Sequence, residues 1–344
     1  MNALRTLSAE WEPHRCTVVC WPTRDQVWGD VLPLAKREYC SLVKVASEDE
    51  PVLVVCREEE TEELRRQFDT DAVAVLAHQI DDGWIRDNGP IIVRNRSAAD
   101  GDGSLVAIAC GFNSWGNRFS PTIGDLSVRR AIAQELDLIY EDATADLVLE
   151  GGAVSSNGKG TLLVAEECVL TESRNPGMTK ADFERIVADR LGAQKVIWVP
   201  HGLLEDLPNT DGHVDNVAVF IGTAEVLVQA VEPTNPNSER PAANADRLRY
   251  EVLSDGNRLR IVECPILPYA GMPDGSKQAV PYLNFVLTNA SVILPSGGDF
   301  EADRRAARLF TTIFPQRRVR FTPSIALAYG GGGPHCVSLN IPRD

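Results

Sequence analysis

The feature that most constrains this 344-residue chain is a repeated order of secondary-structure patterns. Short β-rich runs occur in pairs, a segment of helical periodicity follows each pair, and another β-rich run follows the helix. Residues 153–156 and 161–164 precede a predicted helix over about 179–191 and a run over 196–200. The order recurs as 216–221, 226–230, a helix over about 240–253 and 260–264, then as 285–289, 291–295, a helix over about 301–312 and 319–322. Helix starts in these copies lie about 61 residues apart. Upstream, 91–93, 105–110 and a helix over about 124–137 make an earlier copy, and 17–21, a helix over about 32–47 and 51–56 make an incomplete first one. Thr179 before Asp182, and Asp299 before Glu301, supply caps and acidic groups at helix starts.

Units of one period cannot each bury an apolar face alone. Five ββαβ units therefore predict one α/β domain, residues 1–344, with its modules packed radially around an axis. Equivalent strand ends converge in such an arrangement. Asp87-Asn88, Asp215-Asn216 and Leu283-Asn284 each stand shortly before an apolar β run, so they can meet although distant in sequence. For Asn216 and Asn284 taken singly, strand or turn initiation is the preferred reading.

Charge narrows the partners. With 34 basic and 49 acidic residues the net charge is −15, a field that repels phosphate backbones and suits a small cationic ligand. The N-terminal stretch carries Arg5 and Glu10 without a signal-length apolar core, and no segment approaches about 18 uncharged apolar residues. The expectation is a cytoplasmic protein without nucleic-acid or membrane partners, self-association being left open. Eight dispersed cysteines form no Cys-x-x-Cys pair and the five histidines are scattered, so the cysteines read as small buried hydrophobes in a reducing compartment. Neither a metal nor a cofactor is expected.

Four segments carry candidate chemistry. Glycines 330–333 followed by Pro334-His335-Cys336 give the main chain close approach to another group and leave room beside a thiol. The plain alternative is a buried Cys beside a flexible turn. In Asp211-Gly212-His213-Val214-Asp215-Asn216, a strand beginning here would put His213 and Asp215 on one face, an imidazole and a carboxylate suited to proton transfer beside a bound cation. In Asp81-Asp82-Gly83-Trp84-Ile85-Arg86-Asp87, a carboxylate such as Asp87 can pair bidentately with a planar guanidinium, and Trp84 gives it a flat wall. An internal Arg86–Asp pair on a surface turn is the competing reading. Glu150, before Gly151-Gly152, either orients His213 or is simply solvated.

In order over nearly the whole chain, these segments join Trp11-Glu12-Pro13-His14, Trp21-Pro22, Phe112-Asn113-Ser114-Trp115-Gly116, Glu166-Glu167-Cys168, Arg174-Asn175-Pro176 and Tyr282-Leu283-Asn284-Phe285. The set resembles the agmatine deiminases and related bacterial peptidylarginine deiminases of the guanidine-modifying (pentein) superfamily. The resemblance implies a five-bladed α/β-propeller of ββαβ repeats around a pseudo-fivefold axis. It implies that Cys336 attacks a guanidinium carbon, that His213 moves protons, that Asp87 and Asp215 grip the guanidinium nitrogens, and that Glu150 positions or charges the imidazole. Trp84 and Gly333 would line the substrate, and Arg118 or Arg24 would meet a substrate carboxylate if there is one. The implied reaction is hydrolysis of agmatine to N-carbamoylputrescine and ammonia through a covalent thiouronium on Cys336, a step of putrescine biosynthesis. Alternatives are a deiminase for free or peptidyl arginine or another guanidine, and a non-catalytic guanidine- or polyamine-binding protein. The chain departs from the family pattern at Gly333-Pro334, and at Leu207-Pro208-Asn209-Thr210, which lacks acids expected in many agmatine enzymes.

Overall fold

The computed structural model describes residues 4–96, 104–120 and 122–343. Five sheets share one plan, in which the first strand is antiparallel to the second and the second parallel to the third. Four follow the chain: Ile91–Arg96, Ser104–Gly111 and Ile139–Val148; Val154–Ser156, Thr161–Ala165 and Lys195–Val199; Ala218–Gly222, Glu225–Gln229 and Arg260–Cys264; Val286–Leu287, Ser291–Ser296 and Arg318–Pro323. The fifth joins the two ends, because Ser338–Pro342 runs antiparallel to His14–Cys20, which is parallel to Val52–Cys56. The copy that looked incomplete in sequence thus takes its first strand from the C-terminus.

A parallel pair needs a crossover, and a helix supplies it in every sheet. These helices are Ile123–Glu135, Lys180–Leu191, Glu239–Leu248, Phe300–Ile313 and Leu32–Ser47. Thr179 and Asp182 form a reciprocal capping box, and Asp299 accepts from the N–H groups of Glu301 and Ala302. Leu32–Ser47 buries Ala35, Tyr39, Leu42, Val43 and Ala46 at helical spacing, against the wholly buried strand Val52–Cys56. Glu38 lies on that same buried face. Its carboxylate accepts the N–H groups of Ile325, Ala326 and Leu327 at 2.9, 3.0 and 3.0 Å, fixing the short helix Ile325–Tyr329 that leads into the glycine run.

Two predicted spans are shorter than expected. The helix expected to reach 253 ends at Leu248, since a turn with Gly256 at φ 84° closes a bridge between Val252 and Arg258. The strand expected over 285–289 is only Val286–Leu287, because Thr288 and Asn289 turn to bond Asp49, Glu50 and His14. Sequence periodicity missed the strand Val73–Ala77, the helix Thr61–Gln67 and the hairpin Tyr269–Gly271 with Lys277–Ala279. No described helix is long and apolar enough to cross a membrane.

Candidate active site

Each sheet delivers a polar group just before its first strand. Asp87 precedes Ile91–Arg96, Glu150 and Gly152 precede Val154–Ser156, His213 and Asp215 precede Ala218–Gly222, Asn284 precedes Val286–Leu287, and Cys336 precedes Ser338–Pro342. The structure brings these five positions together, all buried. They enclose Gly152. A Cβ built on it would lie 2.5 Å from His213 Nδ1, 2.9 Å from Asp87 Oδ1 and 3.1 Å from Asp215 Oδ2. His213, Asp87 and Asp215 therefore pack this closely around residue 152 only because it has no side chain.

Cys336 approaches from the side of the glycine run. Its Sγ is 3.8 Å from Asp215 Oδ2 and receives a 3.3 Å hydrogen bond from Asn284 Nδ2. Close approach explains the glycines. A Cβ at Gly332 would sit 2.5 Å from the Trp84 ring and 3.1 Å from Cys336 Cβ, and one at Gly333 would sit 2.4 Å from Asn284 Oδ1. Trp84 is stacked on Trp28 with ring centroids 5.3 Å apart, and both indole N–H groups donate to Asp82, each at 2.8 Å. That pair makes a rigid wall beside the thiol. Burial, then Asp215 and Asp87, push the Cys336 thiol well above its usual range.

The carboxylates are held differently. Asp87 belongs to a one-turn helix, Ile85–Asn88; Trp115 Nε1 donates to its Oδ2 at 2.9 Å and the Gly152 N–H to its Oδ1 at 3.1 Å. Burial is the largest influence on it and, with Asp215 and Glu150 nearby, raises its pKa to about 6 despite His213. Asp215 Oδ2 is 2.8 Å from His335 Nδ1, while Oδ1 has no hydrogen-bond partner among the described residues. Glu150 is fully buried and paired with Arg174 Nε at 2.8 Å, so the solvated reading of it is wrong.

His213 has a backbone tied down and a ring left open. Its N–H donates to Asp206 Oδ2 at 2.9 Å and Thr210 Oγ1 at 3.1 Å. Neither ring nitrogen has a hydrogen-bond partner among the described residues, although Nδ1 is 3.7 Å from Asp87 Oδ1. Burial acts to lower its pKa, but Asp87, Asp215, Glu150 and Asp206 together leave it raised above the usual imidazole value. The alternation argument for His213 and Asp215 fails in its premise. The strand starts at Ala218, and a 3₁₀ turn over Val214–Asn216 places both side chains.

Other expectations meet mixed outcomes. Arg86 is buried and pairs with Glu10 Oε1 at 2.9 Å and Asn340 Oδ1 at 3.2 Å, which excludes the surface Arg–Asp turn. Arg118 forms a two-toothed ion pair with Asp211 at 2.8 and 3.2 Å; Asp211 also bonds Arg174, which holds Glu150. Arg24 pairs with Asp125 at 3.2 Å. Trp115, Arg174, Asn284 and His335 touch the central groups without having been singled out for a role. All four lay in quoted motifs, but their partners are 28, 24, 52 and 120 residues away, and no local pattern reports such contacts. Glu150, Cys168 and His213 place ligand-type atoms within 4.8 Å of one another. A metal fits them poorly: Arg174 occupies Glu150 Oε1, and the Cys168 thiol, raised by burial and Glu150, donates to Oε2 at 3.7 Å.

A thiol beside a glycine run, an imidazole and two anchored carboxylates thus converge around Gly152. The chain belongs to the Porphyromonas-type peptidyl-arginine deiminase family, whose model matches residues 6–342. It is 32% identical to the agmatine deiminase of Stutzerimonas stutzeri over 98% of this chain and 95% of that protein. Agmatine deiminase of Pseudomonas aeruginosa gives the same 32% and the same coverage. Among solved structures, agmatine deiminase of Enterococcus faecalis superposes with a TM-score of 0.91 at 28% identity, covering 99% of this chain and 96% of that one. DDAH from Pseudomonas aeruginosa shares the fold alone, with a TM-score of 0.51 at 13% identity over 96% of this chain and 100% of that one.

Proposed function

We propose that this chain is a hydrolase that deiminates agmatine to N-carbamoylputrescine and ammonia, and that Cys336 carries the covalent intermediate. The single observation behind the mechanism is the convergence of His213, Asp87 and Asp215 around Gly152 beside the thiol. A planar guanidinium bound beside them turns its N–H groups toward the two carboxylates, Asp215 Oδ1 having no other partner among the described residues. Held there, its carbon is offered to the sulfur without orientational search.

The reactive state is a thiolate beside protonated His213. The Cys336 thiolate adds to the guanidinium carbon, and His213 gives its proton to the departing nitrogen, which leaves as ammonia. A thiouronium cation remains on sulfur. Neutral His213 then takes a proton from water, the hydroxide adds to the same carbon, and collapse of the adduct expels the thiolate. The ureido product forms as its last surplus proton passes to ammonia. Glu150, held by Arg174, lies close enough to favour the imidazolium without bonding it.

Substrate choice rests on Arg118 and Arg24. Both are committed to carboxylates of the protein, Asp211 and Asp125, so neither is offered to the carboxylate of arginine. Leaving that group desolvated and unpaired costs a few kcal/mol, which gives agmatine a preference of roughly a hundredfold. Competition between agmatine and arginine, with both ureido products quantified, tests this. Equal consumption, or excess citrulline, would remove agmatine and keep only the deiminase chemistry. The five like sheets, closed by pairing of the chain's ends, further support one catalytic domain built as a five-bladed α/β-propeller with the site on its axis.

A further inference from the structure

His335, next to Cys336 in the chain, approaches the same oxygen of Asp215 as the thiol does. Its Nδ1 is 2.8 Å from Asp215 Oδ2 and its Nε2 is 2.9 Å from Glu10 Oε1. A neutral imidazole has one donor and one lone pair, so between two carboxylates it would set a lone pair against an anion. Only the doubly protonated ring donates at both ends. Glu10 continues outward to Arg86 Nη1 at 2.9 Å, and Arg86 also reaches the His335 carbonyl at 3.4 Å. Charges therefore alternate along one line: Arg86, Glu10, His335, Asp215. A guanidinium held beside Asp215 would extend the alternation by one.

We infer that His335 is a positioning residue that acts through Asp215, a fixed imidazolium that holds Oδ2 of this carboxylate where it faces Gly152 and the Cys336 thiol. The inference rests on the deiminase reading, in which Asp215 grips the guanidinium. The counterpart on the opposite wall is Trp115, which anchors Asp87 with a neutral N–H. Neutral anchoring leaves Asp87 with a raised pKa of about 6. The ring of His335 is buried and its main-chain N–H is fixed by Asn284 Oδ1 at 3.1 Å, so it cannot swing away from Asp215 without breaking the loop that carries Cys336. Burial and Arg86 act to lower its pKa, yet Glu10 and the bond to Asp215 leave it raised. The charged groups facing it are thus Asp215, Glu10 and Arg86, with the Cys336 thiol adjacent in the chain.

The test uses His335→Gln in the full chain and reads three quantities. The first is KM against kcat for ammonia release from agmatine. The second is the acid limb of the kcat/KM profile. The third is the ratio of Cys336 alkylation rates by chloroacetamidine, a small amidinium, and by iodoacetamide, which is neutral. Without the imidazolium, KM should rise tenfold or more, the acid limb should move to higher pH as the site loses a positive charge, and the alkylation ratio should fall at least tenfold. An unchanged ratio and an unmoved acid limb in a folded variant would reduce His335 to a structural residue and overturn the inference. Should His335→Gln not fold, Glu10→Gln serves instead. Removing the outer anion should lower the His335 pKa, so kcat/KM should fall on the alkaline side where the wild type does not; a profile identical to wild type overturns the inference equally. The alkylation ratio needs no turnover, so a wild type inert toward agmatine would count against the substrate reading and leave this one to be decided by the ratio.

Discussion

Gly152→Ala is the sharpest test of the assembled site, because the change adds one methyl group at the point where the chemistry is placed. That carbon would lie 2.5 Å from His213 Nδ1 and 2.9 Å from Asp87 Oδ1. Relaxed contacts lie at about 3.5 Å, so the imidazole must retreat by about 1 Å. It has little room, since His213 is fully buried and its backbone N–H is held by Asp206 and Thr210. A displacement of about 1 Å in a catalytic group costs on the order of a hundredfold in rate, and the methyl also occupies space the guanidinium needs. The expected result is a kcat/KM for agmatine reduced by at least two orders of magnitude. Overpacking should cost about 1–3 kcal/mol, a few degrees in Tm, without loss of the fold. Gly271→Ala is the control, because a Cβ there meets nothing within 4 Å. Ammonia release and thermal melts on both variants decide the matter. A folded Gly152→Ala enzyme within threefold of wild type would show that the substrate cation does not sit beside residue 152.

Cys336→Ala should fold and bind substrate while keeping less than about a hundredth of wild-type turnover; a higher rate assigns the nucleophile elsewhere. Asp87→Asn should lose activity yet gain stability at neutral pH. The carboxyl has a folded pKa of about 6 against 3.8 for the free group, so it binds its proton more tightly when folded. Its contribution is fully present below about pH 4 and is lost as pH rises through about 6, on the order of 3 kcal/mol by linkage. Melting curves should therefore separate above pH 6 with the variant higher and converge near pH 4; a variant less stable at pH 8 would contradict this. Thiolate absorbance, taken as wild type minus Cys336→Ala, should appear only well above pH 9 in the free enzyme and at lower pH once a non-hydrolysable amidinium is bound. Thiolate already formed near pH 7 without ligand would reject activation by the substrate.

Much of this was legible in the sequence, for an identifiable reason. The ββαβ order is written in local periodicity, and the crossover helices came out within a few residues, Leu32–Ser47 coinciding at both ends. Partners held by distant contacts were not legible. Nothing near residue 10 says that Glu10 meets His335, 325 positions away, and nothing near Glu38 says that it caps Ile325–Tyr329. Asn284 was read as a turn former because that is what an Asn before a short strand usually is. Its bonds to Asn216 and to the Cys336 sulfur exist only because three sheet ends meet. The pairing of His213 with Asp215 was anticipated on a wrong local premise, a strand where the chain makes a 3₁₀ turn.

The placement of one polar group ahead of each sheet's first strand also explains how a buried set with so much like charge holds together. No single segment has to accommodate Asp87, Glu150 and Asp215 at once; each arrives on its own sheet with its own anchor, Trp115, Arg174 and His335 respectively. The anchors differ in charge, and the consequences differ with them. Arg174 and His335 are cationic anchors for Glu150 and Asp215, whereas the neutral indole leaves Asp87 with a pKa raised to about 6. The free site then holds a thiol that burial and two carboxylates keep from ionising, and an imidazole whose pKa its carboxylate neighbours raise. On the proposed function, an incoming guanidinium adds positive charge beside Asp87 and Asp215, which lowers the cost of ionising the sulfur at the moment when an electrophilic carbon lies against it. A neutral amide offers no such charge, so the same electrostatics that admit a guanidinium withhold the nucleophile from other electrophiles.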